Sequence, residues 1–507
     1  MEIIGKPLGE GSYGRVYKGI VDTLGSVAVK RLFVHKDSNF VFSIREIELG
    51  LKFDHPNLLK IREIRTHPSK WKDRPPEGHR DDDLCLISDL AKCDLYGLCD
   101  KEELTEHRVK NITTQILLAV EYLHNNGYIH RDIRPANILL FEKDRVKLCD
   151  YGFCEKYHRY DDLNRTINAL YFRAPELLTY SVKYGYPTDI WAVGCVTHYL
   201  LTKRLIPDDL EGDDDDDKEF TREEQLQSLI DGYPFSINKN IFSLDKVSKG
   251  VKFDKIKTPA EFMKPYQDKV KDKKSYMSFL FGMLTFDQQE RKTATQMLSH
   301  PYIDRFSKVI ELTRVESVNL KDETKKYEVN MGTHREALKG PCINLFMDLR
   351  KNADWYTDKT LFMGIELYDR LLSRSHKIRN LSSENHNVYF RSCVYIASKY
   401  YSSHYLCDLE YNNFPLKECS AQSLKAAKNF EDTIFELLGY DLYRTTLLDE
   451  YVTDKVASLK TVLSLLLFTI EGRHRDLTPK DALDLWKSEL NEYGTKATAL
   501  LRQITKK

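Results

Sequence analysis

The chain has 507 residues, 41% of them apolar and 30% charged, which describes a globular protein of two or three domains and excludes a disordered one. Its 77 lysines and arginines balance its 77 aspartates and glutamates, so bulk charge gives no pull towards nucleic acid or a membrane surface. The ten cysteines are scattered without a Cys-x-x-Cys pair, a usage that suits reduced thiols and indicates neither a zinc frame nor a disulfide scaffold. No charged-then-apolar leader opens the chain, and the longest apolar run, around Val462–Ile470, is far short of the ~20 residues of a membrane helix. A soluble intracellular protein is expected, with cytoplasm and nucleus undistinguished.

Along residues 1–90, apolar segments such as Val27-Ala28-Val29 and Leu84-Cys85-Leu86-Ile87 flank one helical stretch, Ser43–Lys52, predicting a mostly β lobe with a single helix. The polar, proline-bearing stretch Thr66–Asp83 reads as a loop between two strands. From Thr105 helices dominate, with Ile112, Ile116, Val120 and Leu123 on one face. The acidic run Asp208–Asp217 reads as a solvated loop, since it lacks the spaced ligands and glycine turn of a calcium site. Residues 307–340 read as a charged linker with some local helix. Three amphipathic stretches follow, marked by Leu361/Ile365/Tyr368/Leu372, Phe390/Val394/Ala397 and Ala427/Ile434/Leu438, with Gly439 placed to stop the third.

The chemistry sits in two clusters. Gly9-Glu10-Gly11-Ser12-Tyr13-Gly14-Arg15-Val16 puts three glycines where a strand–turn–strand can bring backbone N–H groups against phosphates. Val27-Ala28-Val29-Lys30 ends an apolar strand on a lysine, and Glu46, on the only helix of this lobe, is the carboxylate that could pair with it and aim it at phosphates. Further on, His130-Arg131-Asp132-Ile133-Arg134-Pro135-Ala136-Asn137 precedes Asp150-Tyr151-Gly152. Phosphoryl transfer needs one carboxylate to orient the attacking hydroxyl and take its proton, a job that suits Asp132. It also needs oxygen ligands for magnesium, which suit Asn137 and Asp150. Ala174-Pro175-Glu176, Asp189-Ile190-Trp191 and Arg291 follow in order.

With these pieces in place, residues 1–306 resemble the eukaryotic protein kinase family, and most closely cyclin-dependent kinases, through Ser43-Ile44-Arg45-Glu46-Ile47 and Leu170-Tyr171-Phe172-Arg173-Ala174-Pro175-Glu176. The resemblance implies a bilobal α+β fold with an N-lobe at 1–90 and a C-lobe at 91–306. It implies ATP and Mg²⁺ as cofactors, and a serine/threonine kinase acting on protein substrates. ATP would lie between Leu8–Val16, Ala28 and Lys30 above and Leu139 below, with hinge contacts at Asp89 and Ala91 and a ribose contact at Asp94. Ser88 falls at the gatekeeper position in place of the usual phenylalanine, predicting extra room behind the adenine. Arg134 replaces a lysine near the transferred phosphoryl group, Tyr151 a phenylalanine, and Ala169 a threonine that braces the catalytic loop. Arg173 and Asn168 are compatible with a proline after the acceptor residue.

Family kinases gather three arginines around a phosphothreonine. Arg45 and Arg131 match two of them, Glu155 stands at the third position, and Asn164 stands at the phosphothreonine. The segment is therefore expected to order without phosphorylation, or to use the displaced Thr166. Ser12 and Tyr13 match inhibitory phosphorylation positions in relatives, although their residue types equally suit a plain turn. Residues 341–450 resemble a single all-α cyclin box. Lys399 and Glu431 match the residues with which cyclins grip the regulatory helix of the kinase, and 451–507 form a C-terminal helical extension too short for a second box. A linker of this length has a coil span of about 30–35 Å, so activation in cis is feasible. The remaining readings are a non-catalytic scaffold, and an active kinase whose helical domain serves docking or dimerisation.

Overall fold

A computed structural model describes residues 1–11, 14–32, 40–68, 82–157, 170–179, 184–206, 221–235, 237, 250–252, 258–316, 358–374, 389, 390, 392–394, 396, 397, 479–489, 492, 493 and 495–497. The expectations placed on Ser12, Tyr13, Asn164, Thr166, Asn168, Ala169, Asp208–Asp217, Lys399 and Glu431 lie outside the described residues, as do the linker beyond 316 and the third amphipathic stretch. Two compact units are present, one of residues 1–35 and 45–320, the other of 36–44 and 321–507.

The first unit opens with β1 (Glu2–Gly11), β2 (Gly14–Val21), β3 (Gly25–Leu32), helix α1 (Phe40–Lys52, of which residues 45–52 belong to this unit), β4 (Ile61–Pro68) and β5 (Asp82–Asp89). The strands form one antiparallel sheet in the order β1-β2-β3-β5-β4. Alternation along β3 buries Val27 and Val29 against Cys85 and Ile87 of β5, as the period-two pattern requires. Helix α1 begins three residues ahead of the expected start at Ser43, and β4 and β5 extend into the ends of the stretch read as a loop.

Then come β6 (Cys93–Asp94), α2 (Leu95–Lys101), α3 (Glu106–Asn125), β7 (Tyr128–Ile129), β8 (Ile138–Leu140), β9 (Val146–Leu148), β10 (Glu155–Lys156), α4 (Pro175–Leu178), α5 (Pro187–Thr202), α6 (Arg222–Gly232), α7 (Pro259–Met263), α8 (Lys273–Met283), α9 (Ala294–Leu298) and α10 (Ser307–Glu316). Helix α3 starts at a Thr105 cap and buries Ile112, Ile116, Val120 and Leu123, the face its periodicity predicted. It packs on α5, which is apolar almost all round and buried accordingly. Helix α10 takes up the first ten residues of the expected linker; Arg314 ties it to Glu121 of α3 at 2.8 and 2.5 Å.

In the second unit, α11 (Asp358–Arg374) buries Leu361, Ile365, Tyr368 and Leu372. Phe390, Val394 and Ala397 are also helical and buried. A side chain at Gly364 would stand 2.8 Å from the Val394 Cα, so glycine lets these two helical segments touch backbone to backbone. Tyr368 meets Phe390 edge-on at 5.6 Å. Helix α12 (Pro479–Ser488) buries Trp486.

Candidate active site

Lys30 lies on β3, with Val16 of β2 and Leu86 of β5 as its cross-strand neighbours. From there its ammonium reaches both carboxylate oxygens of Glu46 on α1, at 2.6 and 2.7 Å. Burial works against the lysine charge, but the carboxylates of Asp150 and Glu46 outweigh it and hold the pKa of Lys30 above the ordinary value. The expected ion pair is formed.

The glycine turn separates into two kinds of position. A Cβ at Gly14 would meet the Arg31 carbonyl oxygen at 2.3 Å, so the sheet itself demands glycine there. A Cβ at Gly9 or Gly11 would meet nothing within 4 Å. Packing does not require those two glycines, whereas a phosphate drawn close to the backbone would. Glu10 and Arg15 face each other across the hairpin in an ion pair of 2.8 Å. Leu8 stands 58% exposed on β1, and Ala28 and Leu139 are half-buried.

Asp89 ends β5, and Ala91 follows in the connection to the C-lobe. The Asp89 carboxylate receives Arg62 at 3.0 and 3.2 Å and Lys147 of β9 at 2.8 Å. Burial would raise its pKa, but these two cations bring it below the usual carboxylate range. Asp94, expected at the ribose, caps α2 by accepting the Gly97 N–H at 2.7 Å, so any ribose contact shares that carboxylate with the helix.

Asp132 is buried after β7, and Asn137 Nδ2 donates to its Oδ2 at 2.6 Å and to its backbone carbonyl at 2.8 Å. Both bonds run through Nδ2, leaving the Asn137 Oδ1 to serve as a ligand. Arg134 Nε lies 3.5 Å from Asp132 Oδ2, placing a positive charge beside the base. Burial pushes the Asp132 carboxyl up to about 6; Asp150 pushes the same way, against Arg134 and Asn137. Asp150 itself has a left-handed backbone, φ 66°, and its Oδ1 is buried without a hydrogen-bond partner. Such an orphaned oxygen asks for a cation, and Asn137 and Asp150 together are the hard oxygen donors that Mg²⁺ accepts alongside phosphates.

Two pairings carry no role in the sequence motifs, and Glu155 gains its partners only in the fold. Asp189, fully buried at the start of α5, accepts the backbone N–H groups of His130 and Arg131 at 2.8 and 2.9 Å and faces His124 Nε2 at 2.9 Å. A carboxylate heading the apolar run Ile190-Trp191-Ala192-Val193 must find donors, and that was the available signal. Glu176 pairs with Arg291 at 2.6 and 3.0 Å, both buried. Glu155, which stands at the third arginine position in the sequence, lies beside the other two: its carboxylate reaches Arg45 at 3.3 Å and Arg131 at 2.6 Å. A residue spaced like the missing arginine carries the opposite charge, and so binds the other two arginines directly. Tyr151 turns its phenylalanine-to-tyrosine change to use, its hydroxyl lying 2.9 Å from the Leu59 carbonyl and 3.1 Å from that of Leu148.

A lysine–glutamate pair under a glycine hairpin, set over an Asp–Asn pair and an orphaned aspartate oxygen, defines the nucleotide cleft of a bilobal phosphotransferase. Residues 3–303 match the family described as Protein kinase domain, and the chain belongs to that family. It is 34% identical over 204 residues to CTD kinase subunit alpha of Saccharomyces cerevisiae, a match covering 39% of this chain and 36% of that protein. It is 30% identical over 307 residues to Cyclin-dependent kinase-like 4 of Homo sapiens, covering 59% of this chain and 74% of the relative. To Mitogen-activated protein kinase 5 of Oryza sativa subsp. indica it is 26% identical over 322 residues, 60% of this chain and 79% of that protein. By these relatives the domain is a serine/threonine protein kinase of the cyclin-dependent-kinase-like group. Among the described residues no helix is long and apolar enough to cross a membrane.

Proposed function

We propose that this protein transfers the γ-phosphoryl group of ATP to serine or threonine hydroxyls of protein substrates, and that its C-terminal helical segment activates it in cis as a cyclin-like box. The observation that carries the catalytic reading is the Lys30–Glu46 pair at 2.6 Å, together with the Asp132–Asn137 bond at 2.6 Å.

In this reading Lys30 draws the nucleotide phosphates into register, with Glu46 fixing the direction of its ammonium. Asp132 accepts the proton of the attacking hydroxyl at Oδ1 or Oδ2, and Arg134 steadies the negative charge developing beside it. Asn137 and Asp150 would hold magnesium, which when bound neutralises phosphate charge. Gly9 and Gly11 leave backbone open for the phosphates. Asp132→Asn should remove activity on a basic protein substrate by about 10²–10⁴-fold while ATP still binds; undiminished turnover in that variant would favour the scaffold reading.

The cyclin-like reading draws on the resemblance of residues 341–450 to a cyclin box; the amphipathic helix α11 and the close Gly364–Val394 approach fit it as they would fit any packed helical domain. Lys399 and Glu431 would grip the regulatory helix α1. Tethering gives an effective concentration on the order of millimolar. Removing 340–507 should collapse the activity, and addition of the separate segment should restore part of it. Full activity in the truncated chain would instead make the segment a docking or dimerisation module.

A further inference from the structure

Three parts of the kinase unit must stay in register for phosphoryl transfer: helix α1, the catalytic loop and the segment that follows Asp150. In many kinases a phosphate added to that segment ties them by pairing with arginines. Here the tie is already made by a side chain. Glu155 Oε2 meets Arg131 Nη2 at 2.6 Å and Oε1 meets Arg45 Nη2 at 3.3 Å. The two guanidinium side chains are only 2% and 5% exposed, and the Glu155 side chain 17%, so solvent screens the bridge poorly.

The carboxylate is also held from behind. Glu155 and Lys156 form β10, paired with Ile129 and Tyr128 of β7, so the backbone that carries Glu155 is fixed by the strand leading into the catalytic loop. Arg131 is pinned in turn: its Nε donates to the Phe153 carbonyl at 2.6 Å and its Nη1 to the Tyr184 hydroxyl at 3.2 Å. Its backbone, at φ 68°, is clamped by Asp189. Each end of the bridge is one residue from the chemistry, since Arg45 adjoins Glu46 and Arg131 adjoins Asp132.

We propose that Glu155 is a built-in substitute for an activation phosphate, a positioning residue that joins α1 to the catalytic loop and frees the active arrangement from phosphorylation of the segment. This inference rests on the protein kinase reading above. A carboxylate brings one negative charge and two oxygens where a phosphate brings nearly two charges and three oxygens. Among the described residues two arginines, Arg45 and Arg131, meet that carboxylate. The absence of an arginine at position 155 and the presence of an acid there are one adaptation.

The test compares the full-length chain before and after treatment with a broad-specificity phosphatase, with complete removal of phosphate verified by mass spectrometry, alongside the E155Q and E155D variants. The dephosphorylated wild-type chain should keep its activity. E155Q should lose about 10- to 100-fold in kcat, the scale of a misplaced catalytic group, with a smaller change in the KM for ATP, and E155D should recover part of the loss because it keeps the charge. Activity abolished by phosphatase, or E155Q turning over like wild type, would overturn the proposal. If E155Q does not fold, the phosphatase arm alone decides. Hydrogen exchange over residues 40–52 and 153–157 gives a readout free of catalysis: faster exchange in E155Q supports the bridge and unchanged exchange sinks it. A wild-type chain silent on all substrates but showing that exchange difference would count against the kinase activity and not against the bridge.

Discussion

Asp189 accepts the backbone N–H of Arg131 at 2.9 Å while lying fully buried at the head of α5. Arg131 has φ 68°, a conformation that costs a non-glycine residue about 1–3 kcal/mol. The carboxylate is what holds it there, and through it the neighbouring Asp132. Asp189→Asn keeps the shape but removes the charge and turns one acceptor into a donor. It should lower stability by about 3 kcal/mol and reduce kcat more than the KM for ATP. Urea unfolding and steady-state kinetics on the same sample check both effects.

His55 supplies a pH dependence. It is 8% exposed, its Nδ1 accepts the Asn57 N–H at 3.0 Å, and burial pulls its pKa down to about 4. The unfolded chain, with an ordinary histidine near 6.5, then binds more protons than the folded one. Stability is therefore complete above pH ~6.5 and falls as the pH drops towards 4, by roughly 3 kcal/mol in all. His55→Gln should flatten that decline in denaturant titrations run across the interval. An identical slope in the variant would show that other groups carry it.

Ser88, the residue expected at the gatekeeper position, sits on β5 beside Ala28 of β3. Ser88→Phe should raise the IC50 of ATP-competitive inhibitors carrying a bulky group behind the adenine by at least about tenfold, the scale of steric exclusion from a pocket. Equal inhibition of both proteins would mean that no usable space lies behind Ser88.

Asp150→Asn tests the orphaned oxygen. Wild-type affinity for a fluorescent ATP analogue should rise on adding magnesium, and in the variant that rise should largely vanish, since a neutral amide is a much weaker Mg²⁺ ligand. An undiminished magnesium effect would assign the ion to other groups.

How much of this was readable beforehand depends on the range of the interaction. Lys30, Glu46, Asp132, Asn137 and Asp150 were legible because phosphoryl transfer dictates their type and each lies in a local motif. The buried face of α3 and the buried stripe of α11 were legible because periodicity is a local property. What escaped were pairings across long separations. Asp189 with Arg131, Glu176 with Arg291 and Asp89 with Lys147 join residues 58 to 115 positions apart, and nothing local reveals the partner. Glu155 is a related case: counting positions places an acid where an arginine would stand, and only the fold shows that it pairs with Arg45 and Arg131.

A phosphate is a mark that a second enzyme adds and a third removes; a glutamate is present from the moment of synthesis. With Glu155 between Arg45 and Arg131, this position has no erasable state. Cells could then adjust the kinase through how much is made, how long it lasts and what engages its C-terminal segment, but not by stripping a group from that pocket.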